Sequence, residues 1–166
     1  MDRLLKLTNT TKNKYNKKIF EYLSLQIVAF LTKKTDIEKQ RIYNKEREYF
    51  FHKCVINSNS SDFLKNKNET VFQFENSFKN WKKINKDILI NNHIEYLLNK
   101  NFISSKEDVL EIQYKEIKYW YPIQTINMLK NKWKIKKILK STDIFLLWRF
   151  WNWDYINFDK VILNTI

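Results

Sequence analysis

Two groups of lysines are the residues whose type and spacing could do chemistry. An ammonium group binds phosphate as a point charge, whereas an arginine guanidinium can bind it through two hydrogen bonds. Lysines at helical spacing could therefore follow the phosphates of a nucleic acid. These residue types predict an RNA-binding surface made of Lys79, Lys82, Lys83, Lys86, Lys130, Lys132, Lys134, Lys136, Lys137, Lys140 and Arg149.

The net charge supports a polyanionic partner. The chain has 31 Lys and Arg against 18 Asp and Glu, a formal charge of +13 over 166 residues. Codon bias toward A and T explains why the cations are Lys rather than Arg, but it does not explain their surplus. Because such a charge repels itself in a compact domain, we expect nucleic acid first and an anionic membrane surface second.

Catalytic, cofactor and metal groups are predicted to be absent. Without glycine the chain has neither a phosphate-binding Walker loop nor a dinucleotide-binding fingerprint. His52, Cys54 and His93 are too few for a structural zinc site, which needs four ligands. No pair of carboxylates marks an acid–base couple, so we predict no enzyme activity, no cofactor and no metal.

The elements that must position the lysines are predicted to be helices followed by strands. Apolar spacing indicates a helix from Lys17 to Leu31, and Asp36 could cap a second one that continues to Val55. The polar segment Asn57 to Asp62 marks a break. Two short helices follow between residues 69 and 92, the second beginning near Asn80 with Ile84, Ile88 and Leu89 opposite its lysines.

Farther along, residues 94 to 114 are predicted to form short strands around a turn, because β-branched and aromatic residues alternate there with polar ones. Pro122 could start a basic helix over residues 124 to 140, before an aromatic, β-rich tail. The predicted fold class is α+β. Its predicted divisions are a basic arm with N-terminal helices over 1–60, a small RNA-binding module over 61–121, and a basic helix with an aromatic extension over 122–166.

Residues Asn68 to Ile94 resemble the opening of the alpha-L RNA-binding motif of the fourth protein of the small ribosomal subunit. The family's positions would fall on Phe78, on Asn80 as the helix cap, on the basic residues Lys82 and Lys86, on the apolar pair Ile88 and Leu89, and on a turn at Asn92, His93 and Ile94. The family's Arg-Leu-Asp start is replaced by Asn68, Glu69 and Thr70, and its aromatic-Arg step by Phe74 and Glu75.

This resemblance implies two helices packed on a short antiparallel sheet, and it adds Asn92 and His93 to the predicted RNA-binding residues. It also implies a structural constituent of the small ribosomal subunit, with rRNA and neighbouring ribosomal proteins as partners. Six tryptophans in an A/T-biased sequence favour mitochondrial encoding and a place in the matrix ribosome. The chain is predicted neither to span a membrane nor to form a homo-oligomer by itself.

Two other functions fit the same basic surface. One is a peripheral structural subunit of a mitochondrial inner-membrane respiratory or ATP synthase complex, in which the tryptophans would contact neighbouring proteins and lipid headgroups. The other is an organellar maturation or DNA-binding factor, although no helix-turn-helix pattern stands out. Tryptophans could also stack on unpaired RNA bases, but burial or protein contact is expected for most of them.

Overall fold

The computed structural model describes residues 21–65, 68–79 and 82–140, and it has the predicted α+β class. Five strands form one sheet, in the order β2-β3-β4-β1-β5. The strands are β1 (Glu21–Lys33), β2 (Arg41–Tyr43), β3 (Lys53–Ile56), β4 (Glu69–Phe78) and β5 (Val109–Ile123). The helices are the single turn α1 (Asp62–Lys65), α2 (Lys86–Asn99) and α3 (Ile126–Lys140), with 3-10 turns at Asn57–Ser60 and Lys106–Asp108.

Strand β4 lies at the centre of the sheet and sets its register. It pairs antiparallel with β1 from Ser24↔Phe78 to Lys33↔Glu69. On its other side it pairs antiparallel with β3, where Lys53 is opposite Glu75 and Ile56 is opposite Phe72. Because successive side chains of a strand point to opposite faces, this register divides β4 into two sets of residues with different environments.

One face of the sheet, here called the core face, packs against α2. Phe30 of β1 and Phe74 of β4 are fully buried there, together with Leu97 of α2. His93 of α2 stacks on Phe74 with 4.5 Å between ring centroids, and Tyr96 meets Phe74 edge-on. Buried aromatic rings contribute large apolar areas, so this cluster is the main source of stability of the sheet-helix layer.

Local sequence signals fix the ends of α2. The Asn85 side chain accepts hydrogen bonds from the backbone N–H groups of Asp87 and Ile88, which would otherwise lack partners in the first turn. The Asp87 carboxylate also complements the positive end of the helix dipole. After the helix ends, Asn101 adopts a left-handed φ of 55°, a conformation that Asn tolerates better than most residues.

A buried amide holds the segment that enters α2. The side chain of Gln26 accepts from Asn76 Nδ2 and from the Ile84 N–H, and it donates to the Ile84 carbonyl and to the Tyr114 hydroxyl. These four bonds use the full hydrogen-bonding capacity of the amide, so Gln26 can be fully buried without an unpaired polar atom.

Helix α3 confirms the predicted basic helix, which we expected over residues 124 to 140. Thr125 caps it, because its hydroxyl accepts a hydrogen bond from the Met128 N–H at 3.1 Å. Pro122 lies in β5 rather than in the first turn of the helix. No helix in the described ranges is both long and apolar enough to cross a lipid bilayer.

The chain divides into two compact units, with boundaries inside β1 and β5. One unit is Ser24–Lys118, and the other contains the described residues 21–23 and 119–140. The three divisions proposed from the sequence remain a prediction.

The N-terminal helices predicted from the sequence are wrong. Residues 21–33 form β1, and the segment beyond Asp36 forms β2, a loop and β3. Strand β1 carries apolar residues on both faces, as strands inside a sheet often do, so its apolar run lacks the alternation that distinguishes a strand from a helix. In the loop between β2 and β3, the Asn44 side-chain amide donates to the carbonyls of Glu46, Tyr49 and Phe51, which stabilises a non-helical path.

The segment that resembles the ribosomal motif also differs from its predicted structure. Its first part is strand β4 instead of a short helix, and its helix begins at Lys86 instead of near Asn80. Ile88, expected on the apolar side, is 57% exposed, whereas Leu89 is buried as predicted. Residues 94 to 99 continue α2 instead of forming a strand. The predicted basic arm and the aromatic tail lie outside the described residues.

Candidate functional site on the distal face of the sheet

The face of the sheet turned away from α2, here called the distal face, carries a buried carboxylate at its centre. Glu75 of β4 is only 5% exposed, although glutamate is seldom buried without a partner. Lys53, its direct cross-strand neighbour on β3, places Nζ 2.9 Å from Glu75 Oε1. The cation offsets part of the cost of burying the carboxylate, and the contact fixes the positions of both side chains.

His52 and Ser77 complete this cluster, which we call the distal cluster (His52, Lys53, Glu75 and Ser77). The His52 backbone N–H donates to the Glu75 carbonyl at 3.0 Å, which fixes the position of His52. The imidazole Nε2 lies 4.0 Å from Glu75 Oε2, and Nδ1 lies 3.4 Å from Ser77 Oγ. The imidazole is thus held between a hydroxyl and a carboxylate, with 39% of its side chain exposed.

Burial lowers the pKa of His52 below its ordinary value of 6.5. The carboxylate of Glu75 acts in the opposite direction, and Lys53 lowers the pKa further. The imidazole is consequently neutral near pH 7, with one ring nitrogen able to accept a proton or a hydrogen bond. A neutral base beside a carboxylate can take a proton from a ligand, because the carboxylate then stabilises the imidazolium that forms.

The surroundings of the distal cluster are partly apolar. Ile27 and Ala29 of β1, whose side chains point to the same face, are half-buried. Gln73, two residues before Glu75 on this face, accepts a hydrogen bond from Asn57 Nδ2 at 3.2 Å. Apolar side chains beside a few fixed polar groups are also found in ligand-binding sites.

The three side chains considered as metal ligands lie in different places. His52 belongs to the distal cluster, whereas Cys54 and His93 belong to the core. Cys54 is fully buried, and burial raises the pKa of its thiol far above the ordinary range, so it is unreactive. In the described ranges, no three His, Cys, Asp or Glu side chains are close enough to hold a metal ion.

The first group of predicted lysines lies around the start of α2. All four, Lys79, Lys82, Lys83 and Lys86, are exposed. Lys83 Nζ pairs with Glu116 of β5 at 2.6 Å, and Lys86 Nζ lies 5.7 Å from the centroid of the Tyr114 ring. These two lysines therefore stabilise the contact between the start of α2 and β5, a role that the sequence did not indicate.

The predicted turn residues have structural roles instead. Asn92 donates to the Glu48 carbonyl and accepts from the Phe50 N–H, so it joins α2 to the loop before β3. His93 has no exposed surface, which excludes the contact with RNA that we predicted for it. Burial lowers the pKa of His93 to about 3, and neither ring nitrogen has a hydrogen-bond partner among the described residues.

The second group of lysines lies on α3. Lys130, Lys134, Lys136 and Lys137 are exposed, and Lys132 is partly exposed. Lys140 ends the helix, and Arg149 lies outside the described residues.

Sequence reasoning missed the distal cluster. Its only local signal is Glu75, an acidic residue in the interior of a strand whose other residues, apart from the first residue Glu69, are uncharged. The partnership of Glu75 with Lys53 depends on the register between β3 and β4, which a single sequence does not reveal.

No protein-family model and no curated protein matches the sequence. The fold does match solved structures. Reduced UDP-galactopyranose mutase superposes on 81% of this chain and 30% of its own, with a TM-score of 0.72 and 24% identity. "Putative protoporphyrinogen oxidase" from Exiguobacterium sp. 255-15 superposes on 84% of this chain and 32% of its own, with a TM-score of 0.62 and 9% identity. The chain thus spans about a third of the length of each.

This likeness in fold overturns the ribosomal function that the resemblance of residues 68–94 and the basic charge predicted. The chain superposes on parts of solved structures named as a mutase and a putative oxidase, so its predicted function as a structural constituent of the mitochondrial small ribosomal subunit is wrong. The alternative of a structural subunit of an inner-membrane complex gains no support from the likeness either. A lysine-rich composition indicates affinity for anions in general. It could not distinguish a ribosomal protein from a subunit of a membrane complex or from part of an enzyme.

Proposed function

We propose that this chain is the sheet module of an enzyme built like UDP-galactopyranose mutase, and that the distal face forms one wall of its ligand site. The observation that carries the proposal is the superposition on that mutase over 81% of the chain. Since a fold hosts many functions, the distal cluster must supply the chemical part of the argument.

Within this proposal, His52 is the group that exchanges a proton with a ligand. The ring is neutral near pH 7 and partly exposed, and Ser77 and Glu75 flank it. On accepting a proton, the imidazolium would be stabilised by the Glu75 carboxylate, which Lys53 Nζ holds in place at 2.9 Å. The hydroxyl groups of a sugar are ligands of suitable chemistry for a histidine and a serine at such a wall.

A redox cofactor is implied by the names of both similar proteins, since one is described as reduced and the other as an oxidase. The residues of this chain do not fit a dinucleotide cofactor, because without glycine they cannot form the close backbone approach to a pyrophosphate. Such a cofactor would be held by residues outside these 166. That the chain alone is not an enzyme remains a prediction.

The experiment is to isolate the polypeptide or assembly that contains this chain from its native source, and to record its sequence and visible spectrum before and after dithionite. We expect a glycine-rich dinucleotide-binding segment in the same stable particle, and a chromophore that bleaches on reduction. A particle with neither the segment nor the chromophore would contradict the proposal.

Turnover of UDP-galactopyranose by that intact assembly tests the distal face. We expect the His52→Gln variant to turn over this substrate about 100-fold more slowly than the wild type, because loss of a general base has an effect of that size. Glu111→Gln, a change of an exposed glutamate on β5, is the matched control and should leave turnover unchanged. Equal turnover in the wild type and His52→Gln would remove His52 from the site.

A further inference from the structure

Helix α3 exposes an apolar stripe. Ile126, Leu129 and Trp133 are 73%, 52% and 63% exposed, and their spacing of three and four residues places them on one side of the helix. Met128, on the opposite side, is fully buried. A helix at a protein surface normally turns its apolar side inward, so a second apolar side facing solvent calls for a partner.

Lysines flank this stripe on both sides. At 100° per residue, Lys130, Lys134 and Lys137 lie along one edge, while Lys132 and Lys136 lie along the other. Lys137 Nζ is 5.7 Å from the centroid of the Trp133 ring. The segment Ile126–Lys140 contains no Asp or Glu, so no acidic residue of the helix offsets these charges.

We propose that this side of α3 docks on an anionic lipid surface, with the apolar stripe among the acyl chains and the lysines at the headgroup phosphates. An apolar face bordered by cations, with tryptophan at the boundary, is the arrangement that interfacial helices use. Lysine stems can extend outward so that their ammonium groups stay at the phosphates.

The apolar residues favour lipid over nucleic acid. Phosphate contacts along an RNA backbone need cations and hydrogen-bond donors, and exposed Ile126 and Leu129 side chains would add nothing to them. A bilayer surface uses both kinds of residue, since the apolar side chains leave water while the lysines neutralise anionic headgroups. This inference is independent of the proposed enzyme function, because it concerns no residue of the distal cluster.

The test is sedimentation of the full chain with phosphatidylcholine vesicles, with and without phosphatidylserine. We expect binding only when phosphatidylserine is present, and a loss of at least about 10-fold in the partition coefficient for the double variant Leu129→Gln, Trp133→Gln. Ile88→Gln is the matched control, because Ile88 is a 57% exposed apolar residue of α2 and is not part of the α3 stripe. Circular dichroism of each variant checks that the fold is retained.

Three results would overturn the proposal. The chain could stay in the supernatant with both kinds of vesicle. The double variant could bind phosphatidylserine vesicles with the same partition coefficient as the wild type, which would mean that the binding depends on charge alone. A single-stranded RNA could displace the chain from vesicles and bind the double variant with the same affinity as the wild type, which would assign the lysines of α3 to nucleic acid. None of these results bears on whether the native particle carries a redox chromophore.

Discussion

The two faces of the sheet are built by the same strands but differ in the residues that β4 places at their centres. Along β4, Phe72 and Phe74 point to the core face and pack against α2, while Gln73, Glu75 and Ser77 point to the distal face. The core face gains stability from packed aromatic rings, whereas the distal face keeps ionisable groups at its centre. One strand of ten residues thus serves packing and chemistry through the alternation of its side chains.

The two histidines show the same contrast. His93 is enclosed by aromatic rings, with its pKa lowered to about 3, and cannot reach solvent. His52 is partly exposed beside a hydroxyl and a carboxylate. Of these two histidines, only His52 on the distal face is therefore a candidate functional group. The sequence alone does not reveal which of the two is accessible.

The largest expected effect is the loss of a core-face ring. Phe74→Ala should lower the free energy of unfolding by about 3–5 kcal/mol, because Phe74 is fully buried and contacts Phe30, Phe51 and His93. Urea unfolding followed by circular dichroism measures it. Ile88→Ala, at an exposed position, should change stability by less than about 0.5 kcal/mol. A small effect of Phe74→Ala would contradict the assignment of the core.

His93 should make the stability of the protein depend on pH. Its folded pKa of about 3 lies below the ordinary 6.5, so between these values the unfolded chain binds a proton that the folded chain does not. Stability is complete above pH 6.5 and falls toward pH 3, by at most about 1.4 kcal/mol per pH unit. Unfolding curves of His93→Leu over this range should lack that loss. An unchanged slope in the variant would place its origin elsewhere.

The distal ion pair should couple more strongly than a surface pair. A double-mutant cycle on Lys53 and Glu75, with Lys53→Met and Glu75→Gln, should give a coupling of about 1–2 kcal/mol, because both groups are largely withdrawn from water. The same cycle on Lys100 and Glu46, which are 37% and 43% exposed, should give a clearly smaller coupling, because water screens both charges. Equal couplings would mean that the distal pair is solvated in solution.

The smallest effect is a difference in reactivity between the two histidines. Diethyl pyrocarbonate at pH 7 should acylate His52, whose imidazole is neutral and partly exposed, and should leave His93 unmodified in the folded chain. Peptide mass analysis assigns the site, since the chain contains only two histidines. Modification of both at equal rates under native conditions would show that the core face opens.

Part of this fold was predictable from local signals. The basic helix α3 follows from its uninterrupted helical pattern, and the α+β class follows from the mixture of patterns along the chain. Strand β1 was not predictable in this way, because a strand that is apolar on both faces has the same residue types as a buried helix. Its identity depends on pairing with β4, which is 36 or more residues away along the chain at every matched position but appears as a direct neighbour in the sheet.

The sequence by itself determined the positive charge, the absence of any glycine-dependent nucleotide loop and the lysine face of α3, because each depends only on residue type or on spacing within one element. Only the tertiary structure decided that Glu75 meets Lys53 and His52, that His93 is enclosed, and that three segments predicted as helices contain strands. The physical reason is that strand pairing and burial are set by contacts between residues that are distant in the sequence. Because side chains alternate between the two faces, the pairing register decides which side chains of each strand face the core.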